Sequence, residues 1–245
     1  WVGGVIQQLL GYRAIFEPFF PFYVPASADC GYFPFADAAT DDFPELETFA
    51  GRVMAGRIRG RWVDRDNRRL VFPGRLIKEI RLAFCLGWFH QHYPKTPIVL
   101  LVRNPADVFA SWRYLGWIQK KTQTHFAMAR LLFDRRFHTA FPQAQSFWAR
   151  QDFHPEGFPM FLYDWYASAV MPLKQLPSGS YLLVGHEESR RDLGATAATV
   201  CRYLDIPDRA PAFEALSGRS SSTDYGNRSR GAAGGNLPLV DELRD

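Results

Sequence analysis

Apolar residues occur along the chain in two patterns, short continuous runs and helical repeats. Short runs bounded by polar or turn residues are typical of buried strands. They predict strands over residues 13–16, 76–80, 98–102 and 180–185. Helical spacing of apolar residues predicts helices over residues 1–11, 43–60, 81–93, 158–176 and 193–204. Because strands and helices alternate, we expect an α/β fold with a parallel sheet flanked by helices.

The stretch 97–112, PIVLLVRNPADVFASW, is the most informative part of the chain. The run 98–102 predicts a strand buried on both faces, which ends at Arg103. Asn104 suits a helix N-cap and Pro105 the first helical position, so a helix is predicted from there to about residue 116. A cation between a strand's carboxyl end and a helix amino end is typical of an anion site. The alternative is that Arg103 is solvated or forms a salt bridge.

Several segments lack a clear period. Residues 19–44 mix proline with aromatic residues, which favours an ordered loop that covers the core or lines an acceptor site. The many arginines between residues 52 and 69 favour a solvated face. Residues 119–150 have a helical pattern in which apolar and basic residues are mixed. The polar stretch after residue 217 predicts a loop. No repeat or boundary divides the chain, so a single domain over residues 1–245 is predicted.

Composition narrows the classes of protein. With 245 residues, 47% hydrophobic and 22% charged, the chain is typical of a globular domain, and a net charge of +4 does not indicate a nucleic-acid groove. The three cysteines lie far apart in the sequence, without the spacing of a metal site or a disulfide framework. This pattern favours a reducing compartment, so a cytoplasmic location is predicted. No metal site is predicted. No membrane span or signal peptide is visible. Because the chain begins at Trp1 inside a helical pattern, we expect sequence before it to be missing.

The stretch LLVRNPADVFASW resembles a motif of the sulfotransferases that use 3′-phosphoadenosine-5′-phosphosulfate (PAPS). In that family an arginine at a strand end and a serine eight residues later bind the 3′-phosphate of the nucleotide. The resemblance implies this role for Arg103 and Ser111. A guanidinium fork and a hydroxyl are suitable donors to phosphate oxygens. The alternative for Ser111 is an ordinary helix serine.

The two ends of the chain also resemble this family. WVGGVIQQLLG is similar to the helix that follows the family's 5′-phosphosulfate loop, so Trp1 would end that loop and stack on the adenine. The resemblance implies one sulfotransferase domain, with a P-loop nucleotide-kinase-like fold, that lacks this loop. Arg219 and Ser222 fall where the family's C-terminal loop covers the 3′-phosphate. A flexible polar tail is the alternative there.

Two further motifs are similar to the carbohydrate-type members. In RAIFEPF, Glu17 is the candidate base that accepts the acceptor hydroxyl's proton, or else a structural carboxylate. In LIKEIRL, Lys78 is the candidate for stabilising charge on the leaving phosphate or the sulfuryl oxygens, and Glu79 is a second candidate base. Alternate residues face opposite sides of a strand, so both would face the site only if the strand has ended. Ile80 stands where the cytosolic members carry a catalytic histidine, and His186 is expected to be structural.

The resemblance implies transfer of a sulfuryl group from PAPS to an acceptor hydroxyl, on a carbohydrate or glycolipid, with adenosine 3′,5′-bisphosphate as the leaving nucleotide. The expected partner is a small-molecule, glycan or lipid acceptor, without nucleic acid. One alternative is a P-loop kinase or nucleotide hydrolase, which predicts a Lys-Ser/Thr loop before Trp1 and magnesium dependence. The other is a non-catalytic nucleotide-binding module on the same fold.

Overall fold

The computed structural model describes residues 2–36, 42–114, 135–140, 142 and 158–207. The strands in these ranges are β1 (Arg13–Phe16), β2 (Arg75–Lys78), β3 (Ile98–Val102) and β4 (Tyr181–Gly185). The α-helices there are α1 (Val2–Leu10), α2 (Pro44–Met54), α3 (Leu86–His92), α4 (Pro105–Tyr114), α5 (Arg135–Ala140), α6 (Phe158–Gln175), α7 (His186–Arg191) and α8 (Leu193–Tyr203). Short 3₁₀ helices cover Pro25–Cys30 and Leu82–Phe84.

The four strands form two parallel pairs. β1 pairs with β2 so that Phe16 lies opposite Lys78, and β3 pairs with β4 so that Val102 lies opposite Gly185. The prediction of an α/β fold with parallel strands is confirmed, although the described part of the chain contains two pairs rather than one continuous sheet. Leu76 of β2 and Val99 of β3 both pack in the apolar cluster around Ile6 of α1. One apolar cluster therefore includes residues of both pairs.

A loop covers the outer edge of β1. The Asn67 side chain donates to the Ala14 carbonyl at 2.8 Å and accepts from the Ala14 N–H at 2.9 Å. The Phe16 N–H donates to the Val63 carbonyl at 3.0 Å. Since an open strand edge exposes unpaired backbone groups, this loop completes the hydrogen bonding of β1 and fixes its position beside β2.

The buried cation Arg13 fixes the base of the same loop. Its Nε donates to Asp64 Oδ1 at 2.8 Å, its Nη1 donates to the Gly56 carbonyl at 2.8 Å, and its Nη2 donates to the Ile58 carbonyl. A buried charge is tolerated when it is paired and hydrogen-bonded, as this guanidinium is. Gly56 has a φ of 70°, which ends the preceding helical segment. The predicted helix over residues 43–60 therefore ends at Met54.

Two apolar clusters share the segment after β2. Cys85 and Trp88 pack with Phe19 and α2 in the first cluster, whereas Phe84 packs with Phe137 in the second. The prediction of one helix over residues 81–93 is wrong for this reason. The chain forms a 3₁₀ turn through Leu82–Phe84 and restarts as α3, so that neighbouring side chains reach different cores.

Local signals around β3 are confirmed, but its burial is not. The strand has the predicted bounds, and the Ala106 N–H donates to Asn104 Oδ1 at 2.9 Å, as the N-cap prediction requires. The prediction of burial on both faces is wrong, because Leu101 is 48% exposed and Leu183 on the paired strand is 51% exposed. Val99 belongs to an apolar cluster with residues of α1 and α8, but the elements around the pair leave these two leucines partly open to solvent.

No helix within the described ranges is long and apolar enough to cross a bilayer. The three cysteines, at positions 30, 85 and 201, are buried free thiols. A search of the same ranges for three or more clustered histidine, cysteine or acidic side chains that could hold a metal ion found none.

Candidate functional site

The carboxyl ends of β1 and β2 bring Glu17 and Lys78 together. The two strands run side by side in parallel, and the Glu17 N–H donates to the Lys78 carbonyl at 2.8 Å. Glu17 has a φ of 39°, a left-handed conformation that is unfavourable for a residue with a Cβ. Such strain is found where the surrounding structure holds a side chain in a required place, often at a functional site. Here it turns the Glu17 carboxylate toward the end of β2.

Each carboxylate oxygen of Glu17 contacts a different cation. Lys78 Nζ lies 2.8 Å from Oε1, and Arg81 Nη1 lies 3.0 Å from Oε2. Glu17 is buried, the Arg81 side chain is only 5% exposed, and the Lys78 side chain is 44% exposed. Arg81 therefore holds the carboxylate from the protein side, and Lys78 lies at the solvent side, where it can exchange partners.

This arrangement sets the ionisation of Glu17. Burial by itself raises the pKa of the carboxyl, but the Lys78 ammonium and the Arg81 guanidinium together outweigh it and hold the pKa below its ordinary value. At neutral pH the group is therefore a carboxylate and can accept a proton. Its basicity rises when Lys78 leaves it, because one of the two stabilising charges is then removed.

The shifted pKa predicts how stability depends on pH. The folded-state pKa of Glu17 lies below its ordinary value of 4.5. The carboxylate's contribution to the free energy of unfolding is therefore complete above pH 4.5, and it is lost as pH falls through the folded-state pKa. We expect the difference in free energy of unfolding between wild type and Glu17→Gln to be widest at neutral pH and to shrink under acid. Urea unfolding over a pH series measures it. The exposed Glu45→Gln is the control, and a Glu17→Gln difference that does not change with pH would contradict the prediction.

Both carboxylate oxygens of Glu79 accept backbone hydrogen bonds. Its Oε2 accepts the Phe19 N–H at 2.9 Å, and its Oε1 accepts the N–H groups of Ile80 and Arg81 at 2.8 and 3.0 Å. β2 has ended at Lys78, so the Glu79 side chain turns inward. Burial raises the pKa of its carboxyl overall, although the Arg81 guanidinium and the three N–H donors favour the ionised form. Its oxygens join the loops after β1 and β2, and a role for Glu79 as a base stays a prediction.

Aromatic side chains surround the ion-pair cluster and form what we call the aromatic wall. It consists of Phe16, Phe20, Tyr23, Tyr32 and Trp62. The Phe16 and Trp62 ring centroids lie 5.2 Å apart, and Tyr23 stacks on Trp62 at 4.0 Å. Tyr23 is 57% exposed. The wall therefore presents open ring surface to solvent.

The wall is joined to the cluster by cation–π contacts. The Arg81 guanidinium lies 3.6 Å from the Phe20 centroid, and Lys78 Nζ lies 4.2 Å from that of Phe16. Phe20 and Phe16 each contact Trp62, so these contacts join the aromatic wall to both cations that bind Glu17. Among the described residues, the buried Trp62 Nε1 has no hydrogen-bond partner. Such unpaired buried polar groups are uncommon in folded proteins.

A second candidate site lies where β3 meets α4. Arg103 follows β3, and its carbonyl accepts the Trp165 Nε1–H at 2.9 Å. The Asn104 N–H donates to Glu187 Oε1 at 3.0 Å. Arg103 is half-buried, and within the described part of the chain its buried Nε has no hydrogen-bond partner. The structure thus places a buried guanidinium N–H beside the amino end of the ten-residue helix α4.

The remaining predicted residues divide into two groups. Ser111 lies partly buried on α4, and His186 begins α7, where burial and then the charge of Arg103 lower its pKa. The predicted ligands Trp1, Arg219 and Ser222 lie outside the described residues. Among the described contacts, no hydrogen bond or ion pair joins Glu17 or Lys78 to Arg103.

Sequence reasoning did not assign a role to Arg81. The Lys-x-x-Arg spacing in LIKEIRL was the available signal, because Lys78 and Arg81 both reach Glu17. Trp62 gave no signal, since the long loop after α2 brings it to the aromatic wall. Comparison of the chain with protein-family models, curated proteins and solved structures found no match. The candidate function therefore depends on the geometry of these residues and on the motifs.

Proposed function

We propose that this chain transfers a sulfuryl group from PAPS to an acceptor hydroxyl on a carbohydrate or glycolipid, on a P-loop nucleotide-kinase-like sulfotransferase fold. The observation that carries the proposal is Arg103 at the junction of β3 and α4, whose buried Nε has no partner among the described residues. An unsatisfied cationic donor beside a helix amino end suits a phosphate group. The PAPS-type motif around this position gives the anion its identity, the nucleotide 3′-phosphate.

Arg103 and Ser111 would hold the donor. The guanidinium would offer two or more donors to phosphate oxygens, and the Ser111 hydroxyl would add another. The unpartnered Nε fits this role, because burial without a hydrogen bond is unfavourable unless an anion occupies the site. PAPS, when bound, supplies an activated sulfuryl group and a stable leaving nucleotide.

Glu17, Lys78 and Arg81 would act on the acceptor side. The Glu17 carboxylate, ionised at neutral pH, accepts the proton of the attacking hydroxyl. Lys78 is the more exposed of its two partners, so it can leave Glu17 and stabilise developing negative charge. Arg81 stays buried against Glu17 and keeps the carboxylate in place. The new oxygen–sulfur bond forms as the sulfur–oxygen bond to the phosphate breaks.

The aromatic wall would hold the acceptor. Sugar rings present apolar C–H faces and polar edges, which suit a surface that combines aromatic rings with nearby polar groups. Tyr23 and Trp62 offer stacked rings, and Lys78 and Glu17 lie at the border of the same surface. The wall therefore places polar groups beside a ring-binding surface.

Labelled-sulfate transfer from PAPS to a panel of sugars, glycolipids and phenols tests the proposal. We expect transfer by the wild type, preferring glycan acceptors, and about a hundredfold loss in Lys78→Met, the usual scale for removing one charge-stabilising group. Lys95→Met, on an exposed loop, is the matched control and should retain activity. Transfer of phosphate from ATP without any use of PAPS, or nucleotide binding without transfer to any acceptor, would contradict it.

A further inference from the structure

The loop 68–73 presents the most exposed large apolar side chains in the described part of the chain. Leu70 is 97% exposed and Val71 is 84% exposed, and the two are adjacent. A single exposed apolar residue needs no explanation. Two neighbouring aliphatic side chains that are almost fully open to water are different, because together they lose favourable burial unless a partner covers them. We call residues 68–73 the basic-apolar loop.

The basic-apolar loop is held firmly at both ends. Before it, the Asn67 side chain makes paired hydrogen bonds with Ala14 and donates to Asp64 Oδ1 at 3.0 Å. After it, the Gly74 carbonyl accepts the Arg13 N–H at 2.9 Å. A Cβ on Gly74 would lie 2.6 Å from the Tyr12 ring, so the chain passes directly against that ring. The exposed tip therefore projects from a fixed base.

Positive charge surrounds this tip. Arg68, Arg69 and Arg75 are exposed, and no acidic residue occurs between Asn67 and Lys78. The nearest preceding acids are already engaged, since Asp64 binds Arg13 and Asp66 lies 3.8 Å from Arg65. Further exposed arginines on the preceding loop are Arg57, Arg59 and Arg61. The loop thus combines an apolar tip with a cationic base.

We propose that the basic-apolar loop is a docking surface for a lipid bilayer that carries anionic headgroups. Leu70 and Val71 enter the boundary between headgroups and acyl chains, and Arg68, Arg69 and Arg75 bind the headgroups. Charge complementarity supports this partner, because an acidic membrane surface matches a loop with several arginines and no carboxylate. Long arginine side chains also keep their charge at the interface while an apolar tip inserts.

The loop lies away from the candidate catalytic cluster. It comes immediately before the amino end of β2, whereas Glu17 and Lys78 lie at the carboxyl ends of β1 and β2. Docking through the loop would therefore engage the opposite end of β2 from Glu17 and Lys78. The proposal stands on loop geometry and charge alone, and it is independent of the proposed function.

Sedimentation with vesicles tests the proposal on the full chain. We expect binding to phosphatidylcholine vesicles in which about a third of the lipid is phosphatidylserine, and weak binding to phosphatidylcholine alone. Arg68→Gln with Arg69→Gln should lower the partition coefficient about 30-fold, since each basic residue near such a surface contributes about fivefold. Leu70→Ser with Val71→Ser should lower it at least about tenfold. Added salt should weaken the binding of the wild type.

Matched controls distinguish binding through this loop from nonspecific electrostatic or hydrophobic adsorption to vesicles. Arg190→Gln with Arg191→Gln removes two exposed arginines from α7, and Phe22→Ser removes an exposed ring beyond the carboxyl end of β1. Both should bind vesicles as the wild type does. Thermal unfolding should show that the loop variants remain folded, because their changed side chains are exposed. Absence of vesicle binding by the wild type would overturn the proposal, and so would equal binding by the folded loop variants and the wild type. A loop that binds a protein but no vesicles would also overturn it.

Discussion

Replacing Arg103 with alanine is expected to weaken binding of adenosine 3′,5′-bisphosphate by at least about 30-fold, because truncating one member of a buried, hydrogen-bonded charge pair costs about 2–5 kcal/mol. Within the described residues the wild-type Nε is buried without a partner, so a phosphate bound there would gain a donor that is already in place. A preorganised donor costs little further ordering when the ligand binds. Isothermal titration calorimetry with the bisphosphate measures the affinities.

The control for this experiment lies on the same helix. Arg113 is exposed in the last turn of α4, so Arg113→Ala removes an equal charge without touching the β3–α4 junction. We expect it to change the affinity by no more than about twofold, the scale of a screened surface charge. Equal affinities of Arg103→Ala and wild type would remove the basis of the donor assignment. A parallel loss in both variants would indicate general attraction of an anion rather than a site.

Replacing Arg81 with methionine is expected to lower the free energy of unfolding by about 3–5 kcal/mol, the usual cost of removing one partner from a buried ion pair. Methionine keeps much of the side-chain volume but leaves the buried carboxylates of Glu17 and Glu79 without their shared guanidinium. It also removes the cation above the Phe20 ring. Urea denaturation followed by circular dichroism measures the loss.

Lys78→Met is the matched comparison, because it removes the other cation from the same carboxylate. Its side chain is 44% exposed, and pairs of this kind contribute at most about 1 kcal/mol to stability. We therefore expect a small change in unfolding free energy together with the large loss of transfer stated above. If Lys78→Met destabilises the protein as much as Arg81→Met does, the division between a holding cation and an acting cation is wrong.

Local signals predicted the elements well where neighbouring residues decide the structure. The strands at residues 13–16 and 98–102 have the predicted bounds, because each short apolar run ends at residues that stop a strand. The start of α4 follows from Asn104 and Pro105, whose capping and fixed φ act within a single turn. Glu17 and Lys78 were also identifiable as candidates, since each falls at the end of a predicted strand.

Predictions failed where a residue's surroundings come from distant parts of the chain. The segment 81–93 has an apolar helical period, but Phe84 and Trp88 belong to different cores, and that requirement breaks the helix at Cys85. Leu101 looked like part of a strand buried on both faces, yet burial depends on which helices cover each face. The hydrogen bond from the Phe19 N–H to Glu79 Oε2 likewise joins residues 60 positions apart, which local pattern does not predict.

The sequence by itself determined an α/β chain with parallel strands, a cation at the end of β3, and charged candidates at the ends of β1 and β2. These features depend on contacts within a few residues, so local pattern suffices to predict them. Only the tertiary structure decided that Glu17 binds Lys78 and Arg81 together, since 61 residues separate Glu17 from Lys78 and the parallel register of β1 and β2 joins them. It alone also showed that Arg103 Nε is buried without a partner in the described ranges, because burial depends on what the rest of the chain packs around it.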